Sequence, residues 1–353
     1  MQPSARLKCV AAFLLMVSVP SFFIGLVSYV KARNLLKKDA LERLSLIAAS
    51  KEYELLNFLN DKKEKAADFS SDGFIRDQLE KLRLSNDTDL EKDAIALSEH
   101  LKNNKMPLDK DLAELHVYDL QGRLVGGANE KDIGEHKDFA KDTEQLFFKR
   151  AVEGRVYIQN TATVHGKAML IVSAPIKNRT NGETIGVLLN GYGIESVKLI
   201  LAGRPRGLLG VSPRTRMLDL SKTIYLTDFG SNVLASVGKK PTSNYLDKEI
   251  MLKCLGVGEE VTRESVDPAG RHVLVASLCP RIEKDWKWIL VVEEDRNYAL
   301  EPLNSFGKIL LAAWLMAMAF CVLLAWVVVH FVFKKIEPNS VSTIKLFGKK
   351  MGN

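Results

Sequence analysis

The chain has 353 residues, 46% hydrophobic and 26% charged, with 50 basic against 43 acidic side chains. Such fractions belong to folded proteins and exclude wholesale disorder, a collagen-like rod and a disulfide-dense miniprotein. The formal charge of +7 invites a nucleic-acid reading, but a total says nothing about where charges sit.

The first element is apolar. Cys9–Val30 (CVAAFLLMVSVPSFFIGLVSYV) carries no charge over 22 residues. At ~1.5 Å per residue a helix of that length reaches ~33 Å, enough for a ~30 Å hydrocarbon core. Arg6 and Lys8 would also suit a cleaved signal peptide. The run exceeds the usual signal-peptide core of roughly 7–15 residues, however, and no clean A-x-A site follows. A retained anchor is expected.

Residues 31–72 read as one long stalk helix. Leu35, Leu36, Leu41, Leu44, Ile47, Ala48, Leu55, Phe58 and Leu59 recur at spacings of three, four and seven, the period of one helical face. The heptad-like spacing also suits a parallel homodimer. Short helical patterns follow to about 105. Within them Asn86–Asp93 (NDTDLEKD) alternates carboxylates but lacks the Gly and terminal Glu of a calcium loop. It is expected to be a solvated loop.

The pattern then turns β-rich. Leu115–Gly126 (LHVYDLQGRLVG) predicts a hairpin, Lys137–Glu153 a helix stopped by Gly154, and 156–163, 168–175 and 184–191 three strands. Asn181-Gly182 marks a turn between the last two, and a helix is expected near 194–201. A Gly-, Pro- and Arg-rich linker covers 204–216. The order then repeats: hairpin 222–237, helix 243–255, and strands 261–266, 272–279 and 286–293, with Asp267-Pro268-Ala269-Gly270 as a turn. The closing apolar segment, Ile309–Phe333 (ILLAAWLMAMAFCVLLAWVVVHFVF), again has the length of a membrane span. Trp314 and Trp326 suit interfacial placement, though not at its very ends.

Lys334, Lys335, Lys345, Lys349 and Lys350 follow that segment, against Arg296 and Lys308 before it. The positive-inside rule then places the C-terminus in the cytoplasm. Lys31, Arg33, Lys37 and Lys38 make the flank after the first span the more basic one. The five-to-two contrast at the second span decides, and two spans put both ends inside and the middle region outside, which in a bacterium is the periplasm. The excess positive charge sits partly at membrane flanks, where it meets anionic lipid, so no nucleic-acid partner is expected.

The stretches KEYELLNFLNDKKEKAADFSSDGFIRD, VYDLQGRLVGG, SAPIKNRTNGETIGVLL and HVLVASLCPRIEKDWKWILVVEEDRNYALEPL resemble a double Cache sensor, the extracytoplasmic part of many bacterial histidine kinases, diguanylate cyclases and chemoreceptors. The resemblance implies an α+β fold: two PAS-like Cache modules, antiparallel sheets with flanking helices, stacked on the stalk and flanked by two transmembrane helices. The expected organisation is a cytoplasmic N-terminus (1–8), a transmembrane helix (9–30), the stalk (31–72), a membrane-distal module (73–203), the linker (204–216), a membrane-proximal module (217–304), a second transmembrane helix (309–333) and a short tail (334–353). It also implies a distal module that binds a small molecule and a proximal module that relays the signal. The tail KKIEPNSVSTIKLFGKKMGN resembles only the opening of a HAMP segment, too short for a catalytic domain. The expected protein is an inner-membrane sensory receptor with no output domain of its own, acting on a separate cytoplasmic signalling protein. The alternatives are a membrane-anchored periplasmic interaction or structural protein, or the truncated remnant of a sensor histidine kinase or diguanylate cyclase.

A ligand held between the distal flap helix and its sheet would meet Phe147, Phe148, Tyr157, Asn160, Asn190 and Tyr192. The competing reading makes the two phenylalanines core. Amino-acid-binding relatives carry an Arg two residues before a Trp-Tyr pair, and an Asp near the end of the last strand. Gln145, Phe147, Phe148 and Gly193 stand there instead, so the resemblance implies a less charged or more apolar ligand. Cys254 and Cys279 fall outside the membrane, where an oxidising compartment favours a disulfide worth about 3 kcal/mol. Two separate buried thiols are the alternative. The six histidines show no metal-ligand spacing, and no nucleophile elbow or P-loop occurs. No metal, cofactor or enzymatic activity is expected.

Overall fold

The computed structural model describes residues 3–84, 87–128, 133–134, 146–164, 167–203, 222–228, 233–238, 250, 252–253, 260–267, 270–281 and 288–347. These fall into two compact units, Leu41–Asp295 and a second formed by Met1–Ala40 with Arg296–Asn353.

Helix α1, Pro3–Ser70, takes in the first apolar segment and the predicted stalk without a break, and carries Pro20 inside it. From Leu41 onward its buried stripe is Leu44, Ala48, Leu55, Leu59 and Ala66. Spacings of four and seven keep these residues on one side of a 3.6-residue helix. Helices α2 (Gly73–Leu84) and α3 (Asp87–His100) follow, closed by a π turn at Leu101–Lys105 and a 3-10 turn at Met106–Leu108. The acidic stretch expected to be a solvated loop is thus helical from Asp87.

The first sheet contains β1 (Leu112–Asp119), β2 (Leu124–Gly127), β3 (Tyr157–Val164), β4 (Lys167–Lys177) and β5 (Thr184–Gly193). Helix α4, Leu146–Val152, lies between β2 and β3 in sequence, and α5, Glu195–Leu201, follows β5. The N-terminal part of the helix expected from 137 lies outside the described residues. Strand order is β2-β1-β5-β4-β3, antiparallel throughout. The second sheet repeats it with β6 (Lys222–Asp228), β7 (Val233–Val237), β8 (Val261–Val266), β9 (His272–Leu278) and β10 (Trp288–Asp295), in the order β7-β6-β10-β9-β8. The internal repeat expected from the order of elements is therefore a repeat of topology. The linker 204–216, and all but Ile250, Leu252 and Lys253 of the helix expected over 243–255, lie outside the described residues.

Two hairpins share one turn chemistry. Asp119 Oδ1 accepts the backbone N–H groups of Gln121 and Arg123, both at 2.9 Å. Asp267 Oδ1 accepts the Arg271 N–H at 2.8 Å. Asp119 thus makes an Asx-type turn, and Asp267 closes its turn onto the fourth residue as Asp119 does, with Gly122 and Gly270 at φ 82° and 78°, where only glycine is unstrained. The Asn181-Gly182 turn forms as expected, with Gly182 at φ 73°.

One face of the first sheet receives α2 and α3 at close range. A Cβ on Gly186 would come 2.4 Å from Leu79 Cδ2, and one on Gly126 would come 2.7 Å from Leu97. These two strand positions are glycine because helices rest on them. Helix α4 packs on the other face, placing Phe147, Phe148 and Ala151 in a cluster with Tyr118, Leu124, Tyr157, Met169, Ile171, Val187 and Leu189. Each large apolar side chain so buried contributes about 1.5–3 kcal/mol.

In the second unit α6 (Arg296–Ala299) leads into α7 (Glu301–Phe347). Helices α1 and α7 are both long and apolar enough to cross a membrane. Met16, Ile24, Met316 and Phe331 stand exposed on them. Trp314 Nε1 donates to Ser21 Oγ at 3.2 Å, and its ring meets Phe22 edge-on at 6.3 Å. Trp314 therefore packs helix on helix rather than serving only an interfacial belt.

Candidate ligand site

A β-strand turns alternate side chains to opposite faces, and this period governs the site. On β1, Glu114, His116 and Tyr118 share one face. Tyr118 belongs to the cluster under α4, and the His116 ring meets Tyr118 edge-on at 6.1 Å. Phe148 closes on Tyr118 in the same manner, at 6.4 Å and 88°. Edge-to-face pairs of this kind add about 0.5–1.5 kcal/mol beyond their burial.

Helix α4 is tied to the sheet by two polar bonds. The Phe147 N–H donates to Gln159 Oε1 at 3.1 Å, and Ser173 Oγ donates to the Phe147 carbonyl at 2.7 Å. Met169 Cε and Glu114 Cβ close together over Gly191, the register partner of Glu114 on β5. The Glu114 Oε2 atom is shielded from water and has no hydrogen-bond partner.

The six residues proposed from sequence do not line one cleft. Phe147, Phe148 and Tyr157 meet beneath α4. Asn160 falls on β3, and its side chain lies outside the described residues. Asn190 and Tyr192 alternate with Val187 and Leu189 along β5 and so point to the opposite face, toward α1. There Asn190 Nδ2 donates to the Tyr192 hydroxyl at 3.1 Å, while Lys62 Nζ lies 5.1 Å from the Tyr192 ring centroid. Burial, reinforced by the negative charge of Asp109, holds the Tyr192 phenol above its ordinary range. Glu114, His116, Gln159 and Ser173 were not singled out from sequence. The signal was present in β1, where an acid, an imidazole and a phenol recur every second residue.

The second sheet has its own apolar face, formed by Tyr225, Ile250, Val261, Val273, Val275, Ile289 and Val291, with Cys279 packed against it. Tyr225 donates its hydroxyl to Glu293 Oε1 at 2.5 Å. Burial pushes the Glu293 carboxyl above its usual range, against the Tyr225 hydrogen bond. Cys279 is disulfide-bonded, and Cys254 lies outside the described residues.

No family model matches this sequence. No curated protein matches it either. Solved structures do. The ligand-binding domain of the Campylobacter jejuni chemoreceptor Tlp3, in complex with L-valine, is similar at TM-score 0.50 and 11% identity, over 76% of this chain and 97% of that one. The sensor domain of the V. cholerae histidine kinase DctB gives TM-score 0.47 at 13% identity, covering 76% and 98%. The ligand-binding domain of the Pseudomonas fluorescens chemoreceptor CtaA, with L-isoleucine, gives 0.47 at 12%, covering 76% and 98%. At such identity the Tlp3 likeness speaks for the fold alone. Together with the repeated β2-β1-β5-β4-β3 topology, it gives this chain the fold that the resemblance to a double Cache protein implied.

Proposed function

We propose that this protein is a bacterial inner-membrane sensory receptor and not an enzyme. Residues 9–30 and 309–333 cross the membrane, residues 31–308 lie in the periplasm, and both ends are cytoplasmic. The distal module (73–203) binds a small molecule between α4 and its sheet. The linker (204–216) joins it to the proximal module (217–304), which relays the change. The observation that carries this reading is a doubled sensor-type sheet placed in sequence between two helices of membrane-spanning length and hydropathy.

Strand β5 supplies a transmission route. Val187 and Leu189 face the ligand side, while Asn190 and Tyr192 on the reverse engage the charge cluster held by Lys62 of α1. A ligand-driven shift of ~1–2 Å in β5 would reach α1 through this contact. Two copies pair through α1, where Leu46 and Tyr53 stand exposed one heptad apart. The signal passes to a separate cytoplasmic protein through the HAMP-like tail.

Cysteine labelling in intact cells tests the topology. In a chain lacking Cys9 and Cys321, Ser71→Cys should react with a membrane-impermeant maleimide without lysis, and Lys8→Cys only after it. Labelling of Ser71→Cys only after permeabilisation would overturn the receptor reading.

A further inference from the structure

Within the second unit, helices α1 and α7 meet at two levels. Trp314 Nε1 donates to Ser21 Oγ, and a Cβ on Gly307 would come 3.2 Å from the Tyr29 ring. The two helices therefore run antiparallel, with Tyr29 and Gly307 at one height. Lys31 and Arg33 follow Tyr29, and Lys308 follows Gly307. At ~1.5 Å per residue, all three lie within ~6 Å of that height along the axis. That is about the depth of the headgroup layer on each side of the hydrocarbon core.

All three cations are exposed. None of their side chains has a hydrogen bond or ion pair with a described residue. The nearest acids along the two helices are Asp39 and Glu301. They stand ~9–11 Å away along the axis, beyond a Debye length of about 8 Å. On the side of the apolar segments, Leu26, Val27, Val30 and Ile309 are exposed. A collar of positive charge thus borders a hydrocarbon surface, and a phospholipid has the matching order of groups, phosphate above and acyl chain below. Free phosphate would leave the apolar half unanswered.

We propose that Lys31, Arg33 and Lys308 bind the phosphate groups of anionic phospholipids in the periplasmic leaflet. The acyl chains lie against Leu26, Val27, Val30 and Ile309. This rests on the membrane-spanning reading above and adds a lipid partner to it. It also gives a cause for positive charge on the flank where the positive-inside bias does not call for it. Phosphates shared by both helices hold them at one height, the resting position from which a sensory displacement departs.

The test uses the full chain in dodecyl maltoside micelles, titrated at low salt with dioleoyl-phosphatidylglycerol or dioleoyl-phosphatidylcholine, and reads bound lipid by native mass spectrometry. Phosphatidylglycerol should bind the more tightly of the two. Each of K31Q, R33Q and K308Q should weaken it by about fivefold, and the three together by about a hundredfold, with phosphatidylcholine unchanged. The charge-preserving K31R/R33K/K308R variant should keep the preference, and equimolar inorganic phosphate should not displace the lipid. Should the triple Gln variant fail to fold, the three single variants decide. Equal binding of both lipids, an undiminished preference in the folded Gln variants, or displacement by inorganic phosphate overturns the proposal. A second arm inserts the parent chain into phosphatidylcholine vesicles and washes them with alkaline carbonate. A chain that the wash removes overturns the membrane-spanning reading itself, whereas a retained chain without lipid preference overturns the phosphate site alone.

Discussion

Lys62 on α1 places its ammonium 2.8 Å from both carboxylate oxygens of Asp109, and the two side chains are almost dry at 2% and 4% exposure. Asp111 adds a second carboxylate at 3.1 Å, and the Phe58 and Tyr192 rings flank the cation at 5.3 and 5.1 Å. Removing one partner of a buried pair strands the other charge, at about 3–5 kcal/mol. K62M should therefore destabilise the protein by that amount in urea unfolding, because Asp109 and Asp111 would then face each other unopposed. K62M combined with D109L should recover part of the loss. A double variant as unstable as the sum of the two singles would show that the pair is not coupled.

Asp72 holds the start of α2. Its Oδ1 accepts the Ile75 N–H at 3.1 Å, Lys105 Nζ lies 2.7 Å from Oδ2, and His100 Nε2 lies 3.3 Å from Oδ1. Partial burial alone would raise this carboxyl, but the Lys105 hydrogen bond, the Ile75 N–H and the two neighbouring bases outweigh it and draw it below the usual range. A depressed carboxylate contributes stability that is present above the unfolded value of ~3.9 and lost as pH falls through the lower folded value. D72A should cost about 1–2 kcal/mol at pH 7. The gap between D72A and the parent should narrow in thermal melts below about pH 4.

Glu293 has the opposite sign. Its raised folded value means that its contribution is fully present below the unfolded value of ~4.3 and is lost as pH rises through the folded one. E293Q keeps an acceptor for Tyr225 and removes the ionisation. Melts should show E293Q more stable than the parent at pH 8, with the advantage fading toward pH 4. A constant difference across that range would mean that Glu293 does not titrate differently on folding.

Cys279 is disulfide-bonded, and we expect Cys254 as its partner. Peptide mapping without reductant should recover the 254–279 cross-link, and C254S should expose one thiol at 279 and cost about 3 kcal/mol. A cross-link from Cys279 to Cys9 would overturn the pairing.

Much of the fold was legible because its signals are local. The Asn181-Gly182 turn, the short apolar runs that became β4 and β5, and the apolar stripe of α1 are each written in neighbouring residues. Asn86–Asp93 misled because its carboxylates read equally well as a solvated loop or as the acidic first turn of a helix, and α3 took the second form. The candidate site was only half legible. Phe147, Phe148 and Tyr157 do meet, but Asn190 and Tyr192 could not be assigned to a face before it was known which side of β5 α4 would cover.

From its residues alone, the chain determined two apolar helices, a long amphipathic helix and a repeated order of a strand pair followed by three strands, since these signals are written in neighbouring positions. Only the tertiary structure decided that Lys62 meets Asp109, that α1 and α4 take opposite faces of one sheet, and that Glu114 is left with an unpartnered oxygen. Those relationships join residues far apart in sequence. They depend on which surfaces exclude water together once the chain has closed on itself.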